Sequence, residues 1–408
     1  MKRCPTCQTA YPSDYALCPR DGSALIEVGE WAEGSVVRGK YRILAKVGQG
    51  GMGAVYKAIH TRFKEVRALK VISPELASDA HFVRRFEQEA IIARKLQHAN
   101  AVRVEDIDEA EDGRPFIVME YIEGSSLADV IEQEAPMAVP RVCSIIQQAA
   151  AALNAAHELG LVHRDIKPSN IALIASAGRS GISEEQVKVL DFGIAKVIDT
   201  SPEEDQAHKF TRLTLTGTGM LIGTPAYMSP EQAKGLPGDQ IDGRSDLYSL
   251  GIVMYEMLSG DLPFKAATTV EQLAAHINTP PRPIREVRPE LEVPERVSEV
   301  LMRCLKKEPA MRPASGQALI QELESATRRR RAVAQVKQSP EPASPPPPPA
   351  PEPEPRVTLP AIEEEKNLGT GEPVEPPRDV WMLWIGRIIV TLIVVTLVVW
   401  WYLSNQVQ

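Results

Sequence analysis

The stretch LVHRDIKPSN, near the middle of the chain, constrains the fold more than any other feature of the sequence. It places Asp165, Lys167 and Asn170 within six residues, and the run VKVLDFG then places Asp191 directly after an apolar segment that is typical of a strand. A lysine, an amide and two carboxylates in this order and at this spacing rarely arise by chance. We therefore take these four residues as candidates for one functional site.

A glycine-rich stretch lies closer to the N-terminus, in YRILAKVGQGGMGAVYKAIH, where Gly48, Gly50 and Gly53 follow the pattern GxGxxG. In a dinucleotide-binding protein that pattern opens into a helix. Here the residues that follow, AVYKAIH, alternate and favour a strand. A turn without bulky side chains between two strands would let backbone amides lie against nucleotide phosphates, and a plain hairpin is the alternative.

Two further charged residues lie between the glycines and LVHRDIKPSN. Lys70 is in the strand-like run VRALKV, and Glu89 is in the middle of HFVRRFEQEAIIARKLQH, which has the apolar spacing of an amphipathic helix. Either residue alone could be an ordinary solvated charge.

With GTPAYMSPEQ and DLYSLG further along the chain, residues 41–323 resemble the eukaryotic-like Ser/Thr protein kinases of bacteria. The resemblance implies an α+β, bilobal protein-kinase fold. It also implies that ATP, with Mg²⁺ or Mn²⁺, supplies a γ-phosphate to Ser and Thr hydroxyls of protein substrates. A non-catalytic, membrane-tethered scaffold that binds partners through its Pro-rich and Cys-rich segments is the alternative function.

The same resemblance implies a role for each residue of the central motifs. Asp165 would accept the proton of the substrate hydroxyl, and Lys167 would neutralise the phosphate as it transfers. Asn170 and Asp191 would hold magnesium, a hard ion that prefers oxygen ligands.

The resemblance further implies that Lys70 binds the α- and β-phosphates and is held in place by Glu89. It also implies a structural ion pair between Glu231 and Arg312. The other residues implied to bind ATP are Gly48, Gly50 and Gly53 over the phosphates, Val55 and Ala68 around the adenine, and the backbones of Glu120 and Ile122 beside it.

Regulation is expected in the Thr-rich stretch TRLTLTGTGMLIGT, residues 211–224. Arg164 directly precedes Asp165, and a phosphorylated threonine could pair with its charge. By resemblance, Thr216 and Thr218 match the T-x-T spacing at which such kinases autophosphorylate, which implies a transient homodimer. An unmodified Thr-rich segment is the alternative.

The N-terminal stretch CPTCQTAYPSDYALCPRDG has the spacing of metal ligands, with Cys4-x-x-Cys7, then ten residues, then Cys18-x-x-Asp21. Residues 1–25 resemble a zinc ribbon, in which three thiolates and one aspartate oxygen could complete a tetrahedron around Zn²⁺. Water or a ligand from elsewhere could take the place of Asp21. Three free thiols without a metal are the other alternative.

The C-terminal part of the chain has a different composition. Residues 324–380 are basic and then rich in Pro and Glu, which is typical of a disordered, partly polyproline linker. Residues 381–403 are mostly apolar with tryptophans near both ends, and as a helix they would run roughly 34 Å, enough for one transmembrane span. A buried core helix is the alternative. The positive-inside rule then predicts an inner (plasma) membrane protein with a cytoplasmic kinase domain and residues 404–408 outside.

The rest of the sequence supports simpler expectations. Residues 26–40 are expected to be a linker, and IASAGRSGISEEQ, before Asp191, an extended surface loop. Cys143 and Cys304 lie in apolar, helix-like contexts and are expected in the core. The net charge of −8 argues against a protein that binds nucleic acid through bulk positive charge.

Overall fold

The computed structural model describes residues 2–50 apart from 5, 8, 13 and 28, and then residues 53–177, 183–192 and 225–337. Over these residues the chain has the expected α+β content. The strands are β1 (Lys2–Arg3), β2 (Ala10–Tyr11), β3 (Ile26–Glu27), β4 (Val36–Val37), β5 (Tyr41–Gly50), β6 (Gly53–His60), β7 (Val66–Ile72), β8 (Val104–Glu109), β9 (Pro115–Glu120), β10 (Ser125–Ser126), β11 (Ile171–Ala177) and β12 (Ser183–Val189). The helices are Pro74–Ala77, Ala80–Ala93, Leu127–Glu134, Val139–Glu158, Pro230–Ala233, Arg244–Ser259, Thr269–Asn278, Ile284–Val287, Glu295–Cys304 and Gly316–Lys337.

The smaller lobe is an antiparallel sheet in the order β4-β5-β6-β7-β9-β8, with the helix Ala80–Ala93 packed on one face. Side chains alternate across a strand, so β7 turns Ala68 towards this helix and Leu69 and Val71 towards the opposite face. Each face therefore has its own buried apolar cluster. The same alternation places Lys70 on the side that carries the helix.

The helix Ala80–Ala93 confirms the amphipathic helix predicted around Glu89, although it ends before the apolar pattern does. It begins after Asp79, whose carboxylate accepts hydrogen bonds from the backbone amides of His81 (2.8 Å) and Phe82 (3.3 Å). A short polar side chain in this position satisfies amides that the first helical turn leaves without partners.

The segment predicted as a linker, residues 26–40, contains two strands. Val36–Val37 pairs with β5 and adds a sixth strand to the sheet. Before it, the Trp31 ring packs on Tyr56, with ring centroids 5.0 Å apart, and edge-on against Phe116 at 5.6 Å. The segment therefore covers the face of the sheet that the helix Ala80–Ala93 leaves uncovered.

The larger lobe is built around two buried helices. Val139–Glu158 is rich in alanine, which has the highest helix propensity and lets neighbouring helices approach closely. Arg244–Ser259 is almost wholly buried and ends at Gly260, whose φ of 77° suits glycine. Cys143 and Cys304 are both buried, which confirms the prediction that they belong to the core, and burial raises the pKa of their thiols.

The surface loop predicted in IASAGRSGISEEQ is wrong for the residues that the structure describes. β11 and β12 pair from Ile171 opposite Val189 to Ala177 opposite Ser183, as an antiparallel hairpin. The helix Val139–Glu158 holds β12, because Gln148 accepts a bond from the Val187 amide (3.0 Å) and Arg141 pairs with Glu185 (2.7 Å).

Several predictions fall on residues that the structure does not describe. They concern the threonines 216 and 218, the linker beyond residue 337 and the apolar segment 381–403. Among the described residues, no helix is both long enough and apolar enough to cross a membrane.

Candidate active site

The loop that carries LVHRDIKPSN takes its shape from a buried carboxylate. Asp246, in the helix Arg244–Ser259, is 1% exposed and accepts hydrogen bonds from the backbone amides of His163 (2.8 Å) and Arg164 (2.8 Å). The ring of His157 lies 2.7 Å from the same carboxylate. These contacts hold Arg164 at a φ of 61°, in the left-handed region that a residue with a side chain adopts only when its surroundings impose it.

Three of the predicted site residues meet in this loop. The Lys167 ammonium lies 3.1 Å from the Asp165 carboxylate. The Asn170 side-chain amide donates to the Asp165 carbonyl at 2.8 Å and to its carboxylate at 3.3 Å. A one-turn 3₁₀ helix, Pro168–Asn170, brings Asn170 back over Asp165. The spacing in the sequence therefore corresponds to a single compact cluster.

The residues around Asp191 are tied to the same loop. The Leu190 amide donates to the Asn170 carbonyl (2.8 Å), and the His163 ring Nε2 donates to the Leu190 carbonyl (2.7 Å). The Phe192 ring is buried, with its centroid 5.0 Å from that of His163. Asp191, at the end of this segment, has a φ of 58°.

Lys70 and Glu89 do not form the predicted ion pair in this structure. The Lys70 ammonium is paired with Asp191 instead. Glu89 Oε2 is buried and has no hydrogen-bond partner among the described residues. Burial raises the pKa of Glu89 to about 7, although the positive charges of Arg164, Arg85 and Lys70 oppose the shift.

The three glycines of the β5–β6 turn have different surroundings. Gly53 has a φ of 146°, and a Cβ atom there would lie 2.0 Å from the Val71 carbonyl oxygen, so the fold itself requires glycine. Counting only atoms of the described residues, the nearest atom to a Cβ at Gly48 would be 3.8 Å away, and at Gly50 none lies within 4 Å. The fold alone would tolerate side chains at these two positions, which keep open a space beside the turn.

The residues predicted around the adenine lie on adjacent strands of the sheet. Val55 on β6 lies opposite Lys70 on β7, and Ala68 on β7 lies opposite Met119 on β9. Glu120 ends β9, and its carboxylate accepts from the Arg103 amide (2.7 Å) and pairs with Lys188 (2.7 Å).

The donor set suits a nucleotide with a hard divalent cation. Asp191 can supply carboxylate oxygens. Asn170 can supply its side-chain amide oxygen, because its side-chain nitrogen already donates a hydrogen bond to Asp165. Oxygen ligands of this kind are those that Mg²⁺ prefers. The open space at Gly48 and Gly50 leaves room for phosphates to approach the backbone.

Two sets of buried polar contacts stabilise the larger lobe around the site. Arg312 donates to both Glu231 carboxylate oxygens, at 2.7 and 2.8 Å, which confirms the predicted structural pair. The positioning role of Asp246 was not predicted, although DLYSLG contains it. The available signal was a charged residue at the start of the largely apolar stretch LYSLGIVM, because a charge that is buried there needs a specific set of partners.

The four ligands predicted in the N-terminal module also meet. Three short strands pair in the order β2-β1-β3, and they place the ligand atoms of Cys4, Cys7, Cys18 and Asp21 within 4.8 Å of one another.

Comparison with known proteins agrees with this geometry. The protein kinase domain family matches residues 41–323. The chain is 39% identical over 298 residues to the serine/threonine-protein kinase pkn3 of Myxococcus xanthus, which covers 73% of this chain and 52% of that protein. It is 37% identical over 287 residues to the serine/threonine-protein kinase PknA of Mycobacterium tuberculosis, which covers 69% of this chain and 60% of that protein.

A solved structure extends the likeness to three dimensions. The PknI kinase domain of M. tuberculosis superposes with a TM-score of 0.54 at 28% identity, and the match covers 73% of this chain and all of that domain. The chain spans about half the length of the curated relatives that it matches. With a family match over residues 41–323 and the motif residues gathered at one site, the chain belongs to the protein kinase family.

Proposed function

We propose that this chain is a Ser/Thr protein kinase that transfers the γ-phosphate of ATP to serine and threonine hydroxyls of proteins. The observation that carries the proposal is the cluster of Asp165, Lys167 and Asn170, held in place by the buried Asp246. The named relatives are serine/threonine kinases, and each predicted catalytic residue type is present here.

The chain's own residues divide the work of phosphoryl transfer. Asp165 accepts the proton of the substrate hydroxyl on its carboxylate, and Lys167, 3.1 Å away, offsets negative charge on the transferring phosphate. Asn170 and Asp191 supply oxygens that hold Mg²⁺ or Mn²⁺. Bound ATP with its metal supplies the activated phosphate. Lys70 is the residue that would bind the α- and β-phosphates, with Glu89 as its support.

Activation by autophosphorylation at Thr216 and Thr218 is part of the proposal. Arg164 supports it, because its guanidinium Nε is buried and has no hydrogen-bond partner among residues of the described ranges, while one Nη donates to the Gly238 carbonyl (2.9 Å). A phosphothreonine would give this cation a strong acceptor. Phosphorylation in trans then requires a transient homodimer.

We propose membrane attachment through residues 381–403, with the kinase domain in the cytoplasm at the inner (plasma) membrane. It rests on the length and apolar character of that segment. A reporter fused after residue 408 should be reached by protease added outside intact cells, and persistent protection would contradict this topology.

We also include in the proposal a zinc-ribbon-like module at residues 1–25. Three cysteines at metal-ligand spacing support it, because their sulfur atoms converge in the folded chain.

The test of kinase activity is transfer of radiolabelled γ-phosphate to a generic protein substrate. The substrate should become labelled when it is incubated with the wild-type chain. It should not become labelled with the Lys70→Ala or Asp191→Asn variant. Asp239→Asn, an exposed aspartate outside the site, is the matched control and should keep activity. If the wild type labels the substrate no more than Asp191→Asn does, the result would contradict the proposal and favour the non-catalytic scaffold.

A further inference from the structure

The N-terminal module brings three thiols and one carboxylate to a single point. Cys7 Sγ and Cys18 Sγ are 3.5 Å apart, and Cys4 Sγ lies 3.2 Å from Asp21 Oδ2. All four ligand atoms lie within 4.8 Å of one another. A tetrahedral site with metal–sulfur bonds of about 2.3 Å has edges of about 3.8 Å, so a shift of about 1 Å or less would close this set around one ion.

The surroundings of the sulfur atoms suit metal-bound thiolates. The Cys7 amide points at Cys4 Sγ (3.4 Å), the Arg20 amide points at Cys18 Sγ (3.4 Å), and the Tyr11 hydroxyl lies 3.3 Å from Cys18 Sγ. Donors that surround a ligand atom orient it and stabilise its negative charge. Cys4 and Cys18 are 0% and 3% exposed, which keeps their sulfur atoms away from water.

The carboxylate side of the cluster is more open. Asp21 is exposed, and the Ser23 amide fixes its side chain by donating to Oδ1 at 3.0 Å. With the side chain held in this way, both carboxylate oxygens lie near Cys4 Sγ, Oδ2 at 3.2 Å and Oδ1 at 3.4 Å. The cluster therefore has two buried thiols, Cys4 and Cys18, and one half-buried thiol, Cys7, and the positioned Asp21 carboxylate closes its exposed side.

The module has little else to hold it together. Its strands β1, β2 and β3 have two residues each, and Tyr15 and Leu17 are 43% and 59% exposed. A module this small cannot bury enough apolar surface to fold unaided, and a structural metal or disulfides normally make up the difference. The converging ligands supply such a cross-link.

We propose that Cys4, Cys7, Cys18 and Asp21 together bind one Zn²⁺ ion in an S₃O tetrahedron, with Asp21 as the fourth ligand. The inference rests on the zinc-ribbon-like module proposed above and goes further by assigning the complete ligand set. Thiolate-rich tetrahedral sites select zinc among the common divalent ions. The exposed oxygen ligand makes the zinc more exchangeable than in a site of four buried thiolates.

The experiment measures zinc in the purified full-length chain, kept in detergent and under reducing conditions. Elemental analysis gives the stoichiometry, and competition with a chromophoric chelator gives the affinity. We expect one zinc per chain in the wild type and none retained by Cys7→Ser. Asp21→Ala should weaken zinc binding by at least about tenfold, and Asp21→Cys should restore or tighten it. Asp14→Ala, an exposed aspartate of the same module outside the cluster, is the matched control and should bind as the wild type does.

The outcomes separate the two proposals. A wild-type chain without zinc, with its three thiols free or with Cys7 and Cys18 in a disulfide, would overturn the zinc module and the ligand assignment together. Zinc in the wild type with equal affinities for Asp21→Ala and Asp14→Ala would leave the module standing and overturn the assignment of Asp21. Kinase activity of each variant shows that the rest of the chain is folded.

Discussion

In the larger lobe, the loop with Asp165, Lys167 and Asn170 is fixed by contacts that form when the chain folds, above all those of the buried Asp246. In the smaller lobe, the two charged residues of the site are not paired with each other. Lys70 contacts Asp191, and Glu89 keeps a buried oxygen with no partner among the described residues.

The difference indicates how the site is completed. In the larger lobe, the hydrogen bonds that position the site residues form when the chain folds. This part of the site is therefore in place before a ligand binds. In the smaller lobe, the buried Glu89 carboxyl has an oxygen without a hydrogen-bond partner among the described residues, and this costs free energy. We therefore expect the pairing of Lys70 and Glu89 to change when a ligand binds and stabilises a different conformation. ATP with its metal would compete for Lys70 and Asp191, and Lys70 would then be available to Glu89.

The largest expected effect is on catalysis. Asp165→Asn removes the proposed proton acceptor and should lower kcat by about 10²- to 10⁴-fold. The cost in stability should be small, because the amide is of similar size and can still accept a bond from Asn170. Steady-state phosphotransfer kinetics and thermal unfolding of the same samples measure the two effects. A variant that keeps wild-type kcat would remove Asp165 from the proposed mechanism.

The second effect concerns the support of the catalytic loop. Asp246→Ala leaves the backbone amides of His163 and Arg164 buried without an acceptor, and it should destabilise the chain by about 3–5 kcal/mol. Denaturant unfolding measures the loss. Asp242→Ala, an exposed residue just before the same helix, is the control and should cost far less. Equal losses for the two variants would mean that Asp246 does not hold the loop.

The third effect is a pH dependence from Glu89. Its pKa in the folded chain is about 7, against an ordinary value of 4.5. Between these values the folded chain binds more protons than the unfolded chain, so stability falls as pH rises from about 4.5 to 7. At 1.36 kcal/mol for each pKa unit, the cost reaches about 3 kcal/mol above pH 7.

The Glu89→Gln variant removes this titration, and its stability relative to the wild type should increase between pH 5 and pH 8. Glu87→Gln, an exposed residue of the same helix, is the control and should follow the wild type. Chemical unfolding at a series of pH values makes the comparison. Parallel pH profiles for Glu89→Gln and the wild type would show that Glu89 is not held in the way described.

The smallest of these effects concerns the outer face of the smaller lobe. Trp31 is half-buried against Tyr56 and Phe116, so Trp31→Ala should cost about 2 kcal/mol, less than for a fully buried tryptophan. Trp31→Phe, which keeps an aromatic ring, should recover part of the loss. A Trp31→Ala variant as stable as the wild type would show that residues 29–37 add nothing to the folded domain.

The sequence predicted those parts of the site that are local in the chain. Asp165, Lys167 and Asn170 lie within six residues, so their spacing nearly determines that they meet. The ligands of the N-terminal module spread over 18 residues, but they come as two close pairs with the spacing typical of metal ligands, and that spacing predicted the site. The spacing of Lys70 and Glu89 gives no such information, because their distance depends on where a helix lies relative to a strand.

Other features depend on tertiary packing that no local pattern records. Polar and glycine residues in IASAGRSGISEEQ favour a loop, yet Gln148 and Arg141 on a neighbouring helix hold much of it in a hairpin. The segment with Trp31 lacks a strong strand pattern, and its partners Tyr56 and Phe116 lie far along the chain.

The most direct test of the contrast between the two lobes is amide hydrogen exchange with and without a non-hydrolysable ATP analogue and Mg²⁺. We expect the amides of His163 and Arg164 to be strongly protected in both conditions, because Asp246 binds them without a ligand. The amides of the helix Ala80–Ala93 should gain protection when nucleotide binds. The opposite result, with an unchanged helix and a catalytic loop that becomes protected only with nucleotide, would contradict the account.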